Sequence, residues 1–130
     1  MGIINFSMAT PEDENTITLQ GRIHQVKLFW RKNSSCWFYI PRSIIRDLNL
    51  KNEDYGYFYV IENTTLMLSF RDPHLKKQRK RKINYAGIEH NLTLVIPASL
   101  ISKEYLRSKT AIRLINTTGN VSHEWQIQFL

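Results

Sequence analysis

The feature that most constrains the fold of this chain is an internal repeat. Residues 40–45 read IPRSII and residues 96–101 read IPASLI, and each block is followed by a leucine, Leu50 or Leu106. The proline, the serine and this leucine all keep one offset, 56 residues. Each block follows a β-like run and precedes a strand, a polar turn and a second strand. Matches at a fixed offset indicate an internal duplication, so we expect two copies of one supersecondary unit.

Short runs rich in Val, Ile and aromatic residues, bounded by Asn, Ser, Gly and Pro, are typical of strands and turns. They predict strands over residues 23–30, 37–40, 55–61 and 66–70, and over 80–85, 92–96, 111–115 and 124–129. The last run is the clearest, because Trp125, Ile127 and Phe129 alternate with glutamines and give one apolar face. Residues 41–48 and 97–105 each begin with proline and predict two short helices. The sequence therefore predicts a mainly β fold with short helices.

The repeat also divides the chain into expected segments. Residues 1–21, polar at their centre, are expected to form a flexible N-terminal arm. The first copy spans residues 22–72, a basic linker residues 73–82, and the second copy residues 83–130. Apolar residues make up 42% of the chain, which is enough for one core shared by both copies. We therefore expect residues 22–130 to form one domain.

Composition limits the cellular locations and the kinds of binding partner expected for this protein. No apolar run approaches the roughly 18 residues that a membrane span needs, and residues 1–20 lack the pattern of a signal peptide. The single cysteine, Cys36, suits a reducing cytoplasm. The net charge is +7, an excess that favours a polyanionic partner, most often nucleic acid. We expect a cytoplasmic protein with no membrane association.

The strongest local signal is a run of six cations in seven residues. They are Lys76, Lys77, Arg79, Lys80, Arg81 and Lys82. Like charges this close repel one another, and the repulsion falls when DNA phosphates replace solvent around them. The alternatives are a solvated linker and a localisation signal. We favour phosphate contact, because the run leads directly into the first strand of the second copy.

Two smaller basic groups are further candidates for contacts with DNA. Arg31 and Lys32 lie at a predicted hairpin tip, where an ordinary polar turn is the alternative. Arg42 and Arg46 lie four residues apart on one face of the first predicted helix, so both can meet one phosphate backbone. For these two the alternative is a plain exposed face, or an ion pair of Arg46 with a nearby carboxylate such as that of Asp47 or Glu53.

The aromatic residues of the first copy allow two interpretations. Phe29, Trp30, Trp37, Phe38 and Tyr39 could stack the bases of a single strand, although aromatic residues on strands more often form core.

Signals for chemistry are absent from the sequence. The four histidines are scattered and give no metal-ligand spacing with the single cysteine. The serines lie in no nucleophile elbow, and no glycine-rich phosphate loop occurs. We expect no enzymatic activity, no cofactor, no metal and no small-molecule substrate.

The repeated unit resembles the AbrB/MazE/SpoVT-type swapped-hairpin DNA-binding family. The pattern is a strand ending in Ile-Pro, a short helix, a leucine, a polar turn and two strands. It covers residues 38–50 and 57–70 and, more weakly, residues 92–106 and 112–129. In that family two chains interleave hairpins into one β-barrel. The resemblance implies a swapped-hairpin β-barrel made by two tandem β-β-α-β-β copies, a single-chain pseudo-dimer.

The resemblance also implies a function and its contacts. It implies a DNA-binding transcriptional regulator or chromatin-associated protein, nucleoid-associated and of bacterial, archaeal or viral origin, with further homo-dimerisation left open. By position, the family's contacts with duplex DNA fall on Arg31, Lys32 and Arg46, with Arg42 beside them. The second helix has Ser102 in place of Arg46, and Lys103 next to it, so we expect asymmetric contacts with DNA. Where many members have Gly-Arg before the Ile-Pro run, this chain departs from the pattern.

Two other functions stay open. Some proteins of this superfamily are antitoxins that neutralise a toxin through an acidic C-terminal tail. Here the expected last strand reaches Phe129, and only the acidic stretch at residues 12–14 could take that part, so this role ranks lower. An interaction module that binds RNA or an acidic protein is the third reading.

Overall fold

The computed structural model describes residues 22–32, 35–87, 91–116 and 122–130. The arm predicted for residues 1–21 lies outside the described residues. The first copy contains β1 (Arg22–Lys27), β2 (Phe29–Arg31), β3 (Ser35–Tyr39), α1 (Arg42–Leu48), β4 (Tyr55–Ile61) and β5 (Thr65–Ser69). The second contains β6 (Arg79–Lys82), β7 (Asn84–Ala86), β8 (Asn91–Val95), α2 (Lys103–Arg107), β9 (Ala111–Asn116) and β10 (Glu124–Phe129). The predicted mainly β fold with short helices is confirmed.

The strands form two antiparallel sheets around one core. The larger sheet has the order β1-β9-β10-β5-β4-β6, and the smaller has the order β2-β3-β8-β7. Both copies contribute to the hydrophobic core, whose most deeply buried members include Phe38, Phe58, Leu68, Leu94, Ile112 and Leu114. The expected alternation of β10 is confirmed, because Trp125 and Ile127 are buried while Gln126 and Gln128 are exposed. Each copy therefore depends on the other for its core.

The strand order is symmetric between the copies. If each strand is exchanged for its equivalent in the other copy, both sheets read the same from the opposite end. The first strand of each copy pairs with the other copy, β1 with β9 and β6 with β4. At the centre of the smaller sheet, Phe38 lies opposite Leu94, its own equivalent 56 residues later. The duplication expected from the sequence thus coincides with a two-fold relation between the strands.

The long first strand predicted for each copy is divided by one buried residue. Leu28 interrupts it in the first copy and Ile83 in the second, with 6% and 0% of their surface exposed. The backbone N–H of Leu28 donates to the carbonyl of Thr110 at 2.9 Å, and that of Ile83 donates to Asp54 at 2.7 Å. At these residues the chain leaves the larger sheet and enters the smaller one. Each first strand therefore joins the two sheets.

The stretch predicted as a linker, residues 73–82, overlaps the strand predicted over residues 80–85, and its last four residues belong to a strand. Arg79–Lys82 is strand β6, which hydrogen-bonds to β4 at the edge of the larger sheet. Charged side chains are common on edge strands, because at least one side of such a strand faces water. The basic run is thus partly a fixed element of the fold.

The two helices begin differently. Helix α1 follows Pro41 directly, as predicted, and is capped at its C-terminus by Asn49, whose φ of 54° is tolerated by asparagine. In the second copy Pro97 is followed by a turn, and α2 begins only at Lys103, later than predicted. The reason is Ser102, whose hydroxyl accepts a hydrogen bond from the backbone N–H of Tyr105 and caps the helix.

Candidate nucleic-acid interface

Strand β6 presents two cations on each of its faces. Lys80 and Lys82 lie opposite Tyr57 and Tyr55, on the outer face of the larger sheet. The ammonium of Lys80 lies 4.5 Å from the centre of the Tyr55 ring, a cation–π contact that holds the charge at the surface. Both lysines are exposed. This face of β6 is open to a polyanion.

The other two cations of β6 lie on the side of the second helix. The Arg79 Nε donates to Ser99 Oγ at 3.0 Å. Arg81 and Lys103 line one cavity of about 210 Å³ together with Trp30. A further cation, Arg107, lies 5.6 Å from the centre of the Trp30 ring. We call the four cations of this region, Arg79, Arg81, Lys103 and Arg107, the basic cluster.

The loop before β6 is held by a network around one carboxylate. Asp72 accepts hydrogen bonds from the side-chain amide of Gln78 and from the backbone N–H of His74, both at 2.8 Å. The bond from Gln78, followed by that from His74, lowers the pKa of Asp72. Lys76 and Lys77 lie in this loop and are exposed. The network fixes the backbone that carries them.

Ion pairs lie away from the basic run. Within the described ranges they join Arg22 to Asp47 at 2.6 Å, Arg46 to Asp47 at 3.8 Å and His74 to Asp72 at 3.6 Å. None of these pairs involves a residue between positions 76 and 82. The charge of the run is therefore not cancelled by salt bridges in the part of the chain that the structure describes.

The two arginines of α1 contact different residues of the protein. The side chain of Arg46 is 76% exposed, and its contact with Asp47 is long because Arg22 occupies the same carboxylate more closely. Arg42 instead donates to Asn91 Oδ1 at 3.3 Å, at the start of β8. Both guanidiniums remain exposed on the helix. They are two separate candidate contacts.

The predicted hairpin tip is described only in part. Arg31 ends β2 opposite Ser35, and Lys32 follows it with a φ of 45°, which marks a turn. Both are exposed. Residues 33–34, at the predicted tip, lie outside the described residues.

Each first strand meets the serine that follows the Ile-Pro of its own copy. We call the two regions the first junction (Arg22, His24, Ser43, Asp47) and the second junction (Lys77, Arg79, Ser99, Lys103). His24 Nε2 lies 3.4 Å from Ser43 Oγ, as Arg79 lies against Ser99. His24 and Arg79 are equivalent, because they lie opposite residues of β9 and β4 that are 56 positions apart.

The first junction is neutralised where the second is cationic. The hydrogen bond from Arg22 lowers the pKa of Asp47, so the carboxylate stays ionised beside the guanidinium. Desolvation, followed by the charge of Arg22, lowers the pKa of His24 and favours its neutral form. By the 56-residue offset the counterpart of Asp47 is Lys103, which lies at the start of α2, whereas Asp47 lies near the end of α1. The second junction therefore carries more positive charge than the first.

Arg107 was missed by the sequence reasoning. Its position four residues after Lys103 on one helix was the available signal, because residues at that spacing share a face. Its contact with Trp30 joins residues far apart in sequence. Spacing alone does not reveal such a contact.

No protein-family model, curated protein or solved structure matches this chain. The described residues contain no cluster of three His, Cys, Asp or Glu side chains able to hold a metal ion. Burial raises the pKa of the Cys36 thiol to about 11, which disfavours a reactive thiolate. Of the helices described, none has the length and apolar character needed to cross a membrane.

Proposed function

We propose that this protein binds duplex DNA without catalysing a reaction, as a transcriptional regulator or a chromatin-associated protein. The observation that carries the proposal is strand β6, an edge strand of four consecutive cations in no ion pair among the described residues. Holding like charges on neighbouring residues costs free energy, and DNA phosphates relieve that cost while releasing condensed counterions. The basic cluster extends the same charge onto the second helix.

The strand pairing supports the pseudo-dimer interpretation of the fold. The first strands of the two copies are exchanged, since β1 pairs with β9 and β6 with β4. This interleaving is what a swapped-hairpin dimer joined into one chain requires. A duplex would meet an asymmetric surface, because the counterparts of His24 and Asp47 in the second copy, Arg79 by strand register and Lys103 by sequence offset, are both cations.

The proposed contacts position the protein on the duplex and do not read its base sequence. Lysine and arginine side chains on an exposed strand reach phosphates, which carry no base information. We propose four exposed cations of the first copy as secondary contacts, because they lie outside β6 and the basic cluster. They are Arg31, Lys32, Arg42 and Arg46. Binding to unrelated duplex sequences should therefore be readily measurable.

The test compares two variants that each lose two positive charges. In K80Q/K82Q the charges leave the outer face of β6, whereas in R71Q/K109Q they leave positions outside the basic run. Fluorescence anisotropy with a mixed-sequence duplex, over about 50 to 200 mM salt, measures affinity and salt slope. We expect wild-type affinity to fall steeply with salt, and the slope of K80Q/K82Q to be shallower by about two.

The control variant should keep a slope close to that of the wild type. Salt-independent binding of the wild type, or equal losses in the two variants, would reject β6 as the phosphate-binding element. A urea titration of each variant checks that the fold is retained.

A further inference from the structure

Three aromatic rings form a cluster on the outer face of the smaller sheet. Phe29 and Trp37 are stacked, with ring centres 4.7 Å apart and an interplanar angle of 20°. Tyr39 packs edge-on against both, at 5.5 Å and 5.2 Å. The neighbouring residues of the same strands, Trp30 and Phe38, point to the opposite side, where Phe38 is fully buried. The aromatic residues of the first copy are thus divided between core and surface.

Cations surround this cluster. The ammonium of Lys27 lies 5.5 Å from the centre of the Phe29 ring. Arg31 is two residues from Phe29 on one strand and therefore shares its face. Arg42 reaches the same face through its hydrogen bond to Asn91. Strands β2, β3, β7 and β8 contain no acidic residue along their described lengths. The face combines exposed aromatic surface with positive charge.

The second copy shows that the fold does not require these rings. Phe29 lies opposite Trp37 in the first copy, and the equivalent pair in the second is Asn84 opposite Thr93. The equivalent of Tyr39 is Val95. Strands with these smaller side chains pair in the same way. The aromatic cluster is therefore an addition to the sheet, and Tyr39 still exposes 38% of its surface.

We infer that this aromatic face is a second nucleic-acid site, which binds single strands by stacking unpaired bases on Phe29, Trp37 and Tyr39. The phosphates of such a strand would lie against Lys27, Arg31 and Arg42. Aromatic rings beside cations are the chemistry by which proteins bind single strands with little sequence preference. A duplex cannot use the rings in this way, because its bases are already stacked on one another. The inference goes beyond the duplex binding proposed above. Its rings lie on the smaller sheet, whereas β6, the main duplex element, belongs to the larger sheet, and only Arg31 and Arg42 are shared between the two proposals.

The test replaces each ring with the residue that the equivalent position carries. In F29N/W37T/Y39V the side chains are those that the second copy already accommodates on the same strand geometry. The probes are oligo(dT) and oligo(U) of about 12 nucleotides, a length typical of single-strand sites, and a duplex of the same length. Anisotropy gives the affinities, and quenching of tryptophan fluorescence reports stacking on Trp37.

For the wild type we expect binding of at least one single-stranded probe, with quenching. For the triple variant we expect that affinity to fall by about tenfold or more, and the duplex affinity to be unchanged. Preference for oligo(dT) or oligo(U) identifies the natural strand as DNA or RNA. The K80Q/K82Q variant should show the reverse pattern, so loss of this inference and loss of the duplex proposal are distinguishable.

Three results would overturn the inference. They are no binding of either single strand by the wild type, an unchanged affinity in the triple variant, and an equal loss of duplex binding, which would make the face part of the duplex site. If the triple variant does not fold by urea titration, Y39V alone decides, because it changes only the most exposed of the three rings. An unchanged single-strand affinity and unchanged quenching in Y39V would equally reject the site.

Discussion

The first and second junctions have the same framework and opposite electrostatics. In both, a residue of the first strand contacts the serine that follows Ile-Pro, His24 with Ser43 and Arg79 with Ser99. Beside this shared contact the first junction holds the Arg22–Asp47 ion pair, whereas the residue that the 56-residue offset matches to Asp47 is a cation, Lys103, at the start of α2. Because both junctions support the same strand pairing, the fold does not dictate the charge. What differs between the copies is therefore the better guide to function.

The two copies can also be compared in the core, where equivalent side chains differ in size. Gly56 of β4 is equivalent to Ile112 of β9, and both are buried. A Cβ atom at position 56 would lie 2.6 Å from Leu94 Cδ2 and 3.1 Å from Leu68 Cδ1. The smaller sheet thus approaches β4 more closely than a side chain would permit. The strand order is therefore symmetric between the copies, but the side-chain packing in the core is not.

The largest expected effect comes from adding a methyl group at position 56. We expect G56A to lower the free energy of unfolding by about 1–3 kcal/mol, because Leu94 is fully packed and cannot move aside without cost. Urea denaturation measures the change. The double variant G56A/L94V, which shortens the opposing side chain, should recover part of the loss. If G56A is as stable as the wild type, the Leu94 and Leu68 side chains move aside at little cost, and their packing does not require glycine at position 56.

Much of the fold follows from the sequence, and what does not follow depends on contacts between distant residues. The repeat and the alternation in β10 gave the strands, because periodicity is a local signal. The breaks at Leu28 and Ile83 were not predicted, since a strand changes sheet where the two sheets meet in space. The late start of α2 depended on capping by Ser102, although a serine before a helical stretch is a signal that local reasoning can use.

The candidate site was predictable in its charges and not in their orientation. A strand made only of cations has no apolar residue to mark its inner face, so the register with β4 alone decides where each side chain points. The helix spacing of Arg42 and Arg46 predicted that both could meet one phosphate backbone, which stays a prediction. In the structure Arg42 contacts Asn91, and Arg46 is displaced from Asp47 by Arg22, a residue 25 positions away.

The next largest effect is expected from exchanging the junctions. The variant R79H/K103D gives the second junction side chains that the first one carries. We expect its duplex affinity to fall about tenfold, equivalent to about 1.4 kcal/mol, and its salt slope to become shallower, because two candidate phosphate contacts are lost. Anisotropy at neutral pH measures both quantities.

The reciprocal change separates position from net charge. Adding H24R/D47K to that variant restores the composition and moves the cations to the first junction. We expect the quadruple variant to bind duplex DNA no better than R79H/K103D, because its cations no longer adjoin β6. Full recovery of affinity would show that total charge, and not the second junction, governs binding.

The smallest expected effect is on the pH dependence of stability, through His24 of the first junction. Burial and, to a smaller extent, the charge of Arg22 lower the pKa of His24 below its ordinary value of 6.5. As the pH falls below 6.5 the unfolded chain gains a proton that folded His24 resists, so stability is lost until the folded pKa is passed. Other groups face this imidazole, among them Ser43, Trp125 and Asp47, whose carboxylate opposes the shift.

We therefore expect wild-type stability to decline between neutral pH and about pH 5, and H24Q to decline less, as measured by urea denaturation at each pH. His123 has a pKa lowered by desolvation and by Arg71, so H123Q serves as the matched variant, and the double variant should be flatter than either. Asp47 titrates below this window, because its pKa lies under the ordinary 3.8. If H24Q declines as steeply as the wild type, the first junction does not hold His24 neutral, and the electrostatic contrast between the junctions rests on Asp47 and Lys103 alone.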